Sequence, residues 1–131
     1  MKAIKMMLLA GLLMLPFVSQ ADEHERCWTG GTAICAANLQ DVGAAIDAAW
    51  DAGWFTSKRA ESDYSNLCAK LAAAGAKLNL GKDSNAVDKL GAISDKATDL
   101  VDPPRGKKSK LEDATAINNA VTNAITCIGG L

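Results

Sequence analysis

Apolar residues recur every three or four positions in four separate stretches of the 131-residue chain, the spacing of one face of a helix. The clearest stretch is residues 57–81, SKRAESDYSNLCAKLAAAGAKLNLG, in which Tyr64, Leu67, Cys68, Leu71, Ala74 and Leu78 share a face. Ser57 is suited to cap its start and Gly81 to follow its end. The other helices are expected to pack round this one. Ahead of it, a first helix is expected over residues 38–52, capped by Asn38, with Leu39, Val42, Ile46, Ala49 and Trp50 on its core face. Gly53 stops it, and Trp54-Phe55-Thr56 turns the chain. Phe55 is placed to staple the start of the next helix. Two neighbouring aromatic residues in a tight turn do not both point inward, so Trp54 is expected to be more exposed than Trp50 and Phe55.

Beyond Gly81, Asp83 or Ser84 caps a third helix whose face is Val87, Leu90, Ile93, Ala97, Leu100 and Val101. Gly91 weakens that helix unless it serves a close approach. Pro103-Pro104 ends it, because proline excludes the helical conformation from the residue before it. Ser109-Lys110-Leu111-Glu112 reads as a capping box for a fourth helix that buries Ala114, Ile117, Val121, Ala124, Ile125 and Ile128. No run has the alternation of a strand. The pattern predicts an all-α protein, a compact four-helix up-down bundle over residues 38–131.

The first 21 residues change the picture. Lys2 and Lys5 precede an apolar run from Met6 to Val18, and Ser19-Gln20-Ala21 has the small-x-small form of a cleavage site. The run is short for a membrane span. A cleaved signal peptide over residues 1–21 is therefore expected, leaving no stable membrane anchor and a secreted or periplasmic product. Removing Lys2 and Lys5 leaves 12 basic against 15 acidic residues, a net charge of −3. That balance excludes the basic footprint of a nucleic-acid-binding domain. The mature chain is expected to be monomeric.

Cys27, Cys35, Cys68 and Cys127 all fall after the cleavage site, and an even count in a small exported domain predicts two disulfides. Residues 22–37 then form a disulfide-tethered arm, broken by Gly30-Gly31. Measured from the turn between the first two helices, Cys68 lies about 16 Å down its helix, and Cys127 about 26 Å down its own. A short fold-back brings Cys35 to Cys68, and the longer arm takes Cys27 to Cys127. The rival pairing, Cys35 with Cys127, requires the first helix to start near Ala33 and run straight.

The segments VGAAIDAAWDAG, NLCAKLAAAGAKLNLG, NAVDKLGAI and DATAINNAVTNAI, spanning about Leu39 to Ile128, together resemble the FIMAH-type domain, a small helical module of secreted bacterial and archaeal proteins. The third segment has Ala92-Ile93 where that family carries a bulky Phe-Ile pair, and the cysteines stand outside its pattern. The resemblance implies a helical fold and an accessory extracellular role, and brings no catalytic residues.

Little else suggests chemistry. His24 is the only histidine and lies in the arm, and the cysteines lack C-x-x-C spacing, so no metal, cofactor or nucleophilic triad is expected. The carboxylate pairs Asp47/Asp51 and Asp95/Asp99 fall opposite the apolar faces and are expected on the solvated surface. The features suited to a partner are Trp54, held by its turn, and the basic loop with Arg105, Lys107 and Lys108. They point to an exported interaction module, without catalytic activity, for a protein or an extracellular polymer. The alternatives are a small-ligand carrier with a pocket between helices, or an enzyme. Alanine-rich faces oppose the first by drawing helices together, and the absence of a catalytic set opposes the second.

Overall fold

The structure, a computed structural model, describes Cys27 and residues 34–130; the expected signal peptide, His24 and Gly30-Gly31 lie outside these residues. Four helices follow one another: α1 (Ala36–Asp51), α2 (Ala60–Asn79), α3 (Asp83–Val101) and α4 (Thr115–Gly129), with a short 3₁₀ turn, Pro104–Gly106, before α4. Among the described residues no strand forms, and Phe55 and Leu111 make an isolated antiparallel bridge.

The helices bundle round a shared core. α1 packs on α2 and α4, and α3 packs on the same two, so the core is not arranged round α2 alone. Leu39, Val42 and Ile46 of α1 meet Leu67 and Leu71 of α2, Leu90 and Ile93 of α3, and Ile117 and Val121 of α4 in one buried cluster. These are residues of the faces read from the sequence. Trp50, Cys68, Val87, Val101 and Ile125 sit half-buried at the margins of those faces. No close approach occurs at Gly91: a Cβ there would meet no atom within 4 Å.

Helix starts differ from the expectation at all four helices: α3 begins at Asp83 itself, with Lys82 in the cap position and no side-chain bond there, so neither Asp83 nor Ser84 caps it. α1 begins two residues before Asn38, because Cys35 takes a left-handed backbone (φ 72°) and its carbonyl accepts the N–H groups of Asn38 at 3.0 Å and Leu39 at 3.2 Å. The expected arm therefore ends at Cys35 and not at residue 37. α2 begins at Ala60; Ser57 instead makes a local turn in which its hydroxyl accepts the Arg59 N–H (3.0 Å) and donates to buried Asp63 (2.9 Å). The capping box at Ser109 does not form, since the Ser109 hydroxyl donates to the Leu111 carbonyl. α4 starts instead at Thr115, with Ala114 in the cap position; the Asp113 carboxylate just ahead of it accepts both the N–H (2.8 Å) and the hydroxyl (2.7 Å) of Thr115. The C-terminal signals behave as read. At Gly53 and Gly81, both with φ 75°, the chain closes α1 and α2 with paired backbone bonds: Gly53 to Trp50 and Trp54 to Ala49, then Gly81 to Leu78 and Lys82 to Lys77.

Two disulfides staple the bundle, but the pairing is Cys27–Cys68 and Cys35–Cys127, not Cys35–Cys68 and Cys27–Cys127. The early, left-handed start of α1 sets Cys35 beside the end of α4, with a Cα separation of 6.0 Å from Cys127. Cys27 lies beside α1. The Cys27 N–H lies 3.2 and 3.3 Å from the two carboxylate oxygens of Asp47, more than two turns into α1, and from there Cys27 reaches the middle of α2. Asp47 is thus not a surface carboxylate; it is 7% exposed. Gly43, one turn earlier on α1, is buried too, so α1 carries a second buried flank beside its core face.

Candidate functional site

The α1–α2 connection (residues 52–59) and the α3–α4 connection (residues 102–114) lie together. Gly53 bends the chain out of α1, and the next residue is Trp54, whose N–H is held by the Ala49 carbonyl at 3.0 Å. The Trp54 carbonyl accepts the Glu112 N–H at 3.0 Å. Two residues on, the Thr56 N–H donates to the Lys110 carbonyl at 3.1 Å, and its hydroxyl to the Ser109 carbonyl at 3.4 Å. Phe55 and Leu111, between these bonds, are both buried and plug the core beneath the joined loops. Phe55 meets Tyr64 edge-on, with ring centroids 6.0 Å apart, which is the stapling contact read from the sequence.

The second connection is anchored from the α3 side as well. The Leu100 carbonyl accepts the N–H groups of Lys110 (2.7 Å) and Leu111 (3.2 Å). Between the two anchor points the chain bulges outward. Pro103 is buried, and Arg105 and Gly106 then adopt left-handed conformations (φ 65° and 67°) in succession. Such a conformation is uncommon at a residue other than glycine, asparagine or aspartate. Arg105, Lys107 and Lys108 are all exposed, and Lys110 is half-buried.

Trp54 is half-buried while Phe55 is buried, the order expected for this pair; Trp50, expected deeper, is half-buried like Trp54. Trp50 stands in an aromatic cluster with Tyr64 (4.9 Å between centroids) and Phe55 (6.0 Å). The fold therefore brings the loop of Trp54 and the basic loop to one end of the bundle through backbone bonds, although some 50 residues of sequence separate them. Sequence reasoning had no signal for this pairing beyond the buried apolar residue at the centre of each loop.

A concavity lies between the end of α3 and the start of α4, lined by Thr98, Val101, Asp102, Asp113, Thr115 and Asn118. Its volume is about 180 Å³, below the several hundred Å³ of a typical small-molecule site. Its polar groups bond one another: Asn118 accepts the Ser94 hydroxyl at 2.7 Å and donates to the Thr98 hydroxyl at 3.4 Å. The Asp113 carboxyl is held below its usual range, chiefly by the Thr115 N–H and then by the Thr115 hydroxyl. These contacts stitch α3 to α4 and hold the first residue of α4. Asp95 and Asp99 are exposed, as read from the sequence.

Among the described residues no group of three or more His, Cys, Asp or Glu side chains is placed to hold a metal ion, and no helix is long and apolar enough to cross a membrane. Comparison of the chain with protein-family models, with curated proteins and with solved structures gives no match.

Proposed function

We propose that the chain is an exported helical interaction module, without catalytic activity of its own, that binds its partner through the joined loops carrying Trp54, Arg105, Lys107 and Lys108. The observation that carries this reading is the bond from the Glu112 N–H to the Trp54 carbonyl, with its neighbours at Thr56. These bonds join the backbone of residues 54–56 to that of residues 109–112, next to the exposed cations Arg105, Lys107 and Lys108, and this adjacency supports reading the half-buried Trp54 and the basic loop as one surface. Aromatic and arginine side chains on a rigid support are the usual anchors of an interface. The helices run up and down, which puts both loops at the same end and the Cys35–Cys127 link at the other.

Export follows from the signal segment, cleaved after Ala21, and accords with two disulfides, which persist in an oxidising compartment such as the periplasm or the medium. The accessory extracellular role of FIMAH-type modules fits the same reading. The module acts as a monomer. The test uses the oxidised mature chain, residues 22–131, immobilised and exposed to periplasmic extract and to spent medium. Wild type is compared with Trp54→Ala and with a variant carrying Arg105→Ser, Lys107→Ser and Lys108→Ser. A specifically retained partner is lost from both variants. Equal retention by all three proteins moves the contact surface elsewhere and ends the proposal.

A further inference from the structure

Charge is distributed unevenly along this protein. The two joined loops, residues 52–59 and 102–114, carry six cations (Lys58, Arg59, Arg105, Lys107, Lys108 and Lys110) against Asp102, Glu112 and Asp113, a net charge of +3. The rest of the described chain carries five basic and nine acidic residues, a net charge of −4. The cations come from both loops, and the Thr56–Lys110 and Thr56–Ser109 bonds bring those loops together. Lys58 and Arg59 follow Thr56 by two and three residues, and Lys107 and Lys108 immediately precede Ser109. All four are exposed. A basic end on an acidic body orients the molecule toward a negatively charged partner and holds its remainder away.

We infer that the partner of this end is an acidic polysaccharide, bound by the loop cations through its carboxylate, sulfate or phosphate groups, with the Trp54 indole against a sugar face. This rests on the reading of the loops as a binding surface and names the chemistry of what they bind. Two observations select a glycan among polyanions. First, the loops expose no large aliphatic side chain; the large hydrophobic residues most exposed among the described residues, Ile34 and Leu80, stand before α1 and after α2, away from the joined loops. A lipid surface recruits cations together with apolar groups that enter it, and this end offers none beyond the half-buried indole. Second, Arg105, Lys107 and Lys108 are all exposed, on a stretch (residues 104–109) exposed throughout. Long cationic side chains on such a stretch tolerate many registers of a repeating charge, which suits a polymer better than one folded epitope. The half-buried Trp54 indole, in the loop bonded to the basic one, offers the flat apolar surface on which the face of a pyranose ring packs.

The test is retention of the oxidised mature chain on immobilised alginate, a polyuronate, at rising NaCl, with neutral dextran, poly-L-glutamate and phosphatidylglycerol vesicles as parallel arms. Wild type is expected to bind alginate at low salt, to weaken steadily as salt rises, and to ignore dextran. The Arg105→Ser/Lys107→Ser/Lys108→Ser variant loses at least about tenfold in affinity. A charge-matched control, Lys77→Ser/Lys82→Ser/Lys89→Ser, stays within about twofold, because those lysines lie outside the loops. Trp54→Ala weakens binding without altering its salt dependence, since the indole carries no charge. Failure to bind alginate at low salt overturns the inference, as does equal loss in the control variant. Tighter binding to poly-L-glutamate or to the vesicles than to alginate replaces the glycan by an acidic protein or a membrane. In each of these cases the loop surface itself stands if the same loop variants still lose a captured partner, and falls with the inference if they do not.

Discussion

Asp47 of α1 and Tyr64 of α2 are joined by a 2.5 Å hydrogen bond from the phenolic hydroxyl to the carboxylate, inside the protein. Asp47 lies four residues before the end of α1 and Tyr64 four residues after the start of α2. In neighbouring helices joined by a short turn these positions have the same depth, about 6 Å from the turn. The same carboxylate takes the Cys27 N–H, so a single acidic side chain ties α1, α2 and the segment before α1 together. A buried carboxylate is tolerated only where donors surround it. Here the donors come from an aromatic cluster and from a disulfide-linked residue.

Tyr64→Phe removes one of those donors and preserves the ring contacts with Trp50 and Phe55. The expected loss is about 1.5–3 kcal/mol, the range for a hydrogen bond to a charged group. Urea unfolding of the oxidised protein measures it. A loss below about 0.5 kcal/mol would mean that the hydroxyl adds nothing beyond its bond to water.

The two disulfides close loops of 41 and 92 residues. On the chain-entropy account they stabilise the fold by about 4 and about 5 kcal/mol. Those values are comparable to the whole stability of a small domain. Replacing either pair with serine should lower the melting temperature by more than about 15 °C. A non-reducing digest should yield one peptide joining Cys27 to Cys68 and another joining Cys35 to Cys127. A peptide joining Cys35 to Cys68 would contradict the arrangement, and an unchanged melting temperature after full reduction would remove the structural role.

Periodicity located the helices and most of the core, because a position such as Leu67 or Leu90 has one dominant reason to be apolar. It missed features that depend on a polar residue finding a distant partner. Asp47 sits between the apolar and solvated faces of α1, and nothing local distinguishes it from Asp51, which is exposed. Its burial depends on Cys27, twenty residues away. The cysteine pairing failed for the same reason: distances along helices placed Cys68 and Cys127 at different depths, but Cys27 is held where Asp47 accepts its N–H. The loop surface was half legible. Trp54 and the basic loop stood out by composition, whereas their union depends on backbone bonds that no side-chain pattern encodes.

Gly91 and Gly81 should respond oppositely to alanine. Gly91 lies within α3 with open space where a Cβ would go, so Gly91→Ala should stabilise by about 0.5–1 kcal/mol through helix propensity. Gly81 also has open space, but its φ of 75° is strained for any side chain, so Gly81→Ala should destabilise by about 1–2 kcal/mol. Chemical denaturation of both variants checks the pair. A stabilising Gly81→Ala would mean that the turn after α2 is not left-handed.

Asp113 gives a pH dependence with a definite sign. Its ionised form accepts the Thr115 N–H and hydroxyl, which holds its pKa in the folded chain below the usual 3.8. On acidification the unfolded chain therefore takes up this proton first. The stabilisation from Asp113 is complete above the ordinary carboxyl range and is lost as the pH falls through the lower folded value. Asp113→Asn keeps a side-chain oxygen as acceptor but does not titrate. The difference in urea midpoint between wild type and Asp113→Asn should thus be constant near neutrality and should move against wild type below about pH 4. Taking this difference cancels the titration of the other carboxyl groups to first order. Thr115→Val removes the hydroxyl donor while leaving the N–H, and should raise the Asp113 pKa part of the way back toward 3.8, as read from its carboxyl carbon by NMR titration. An Asp113 pKa unmoved by Thr115→Val, together with a midpoint difference that stays flat through pH 3, would show that Asp113 does not hold the start of α4.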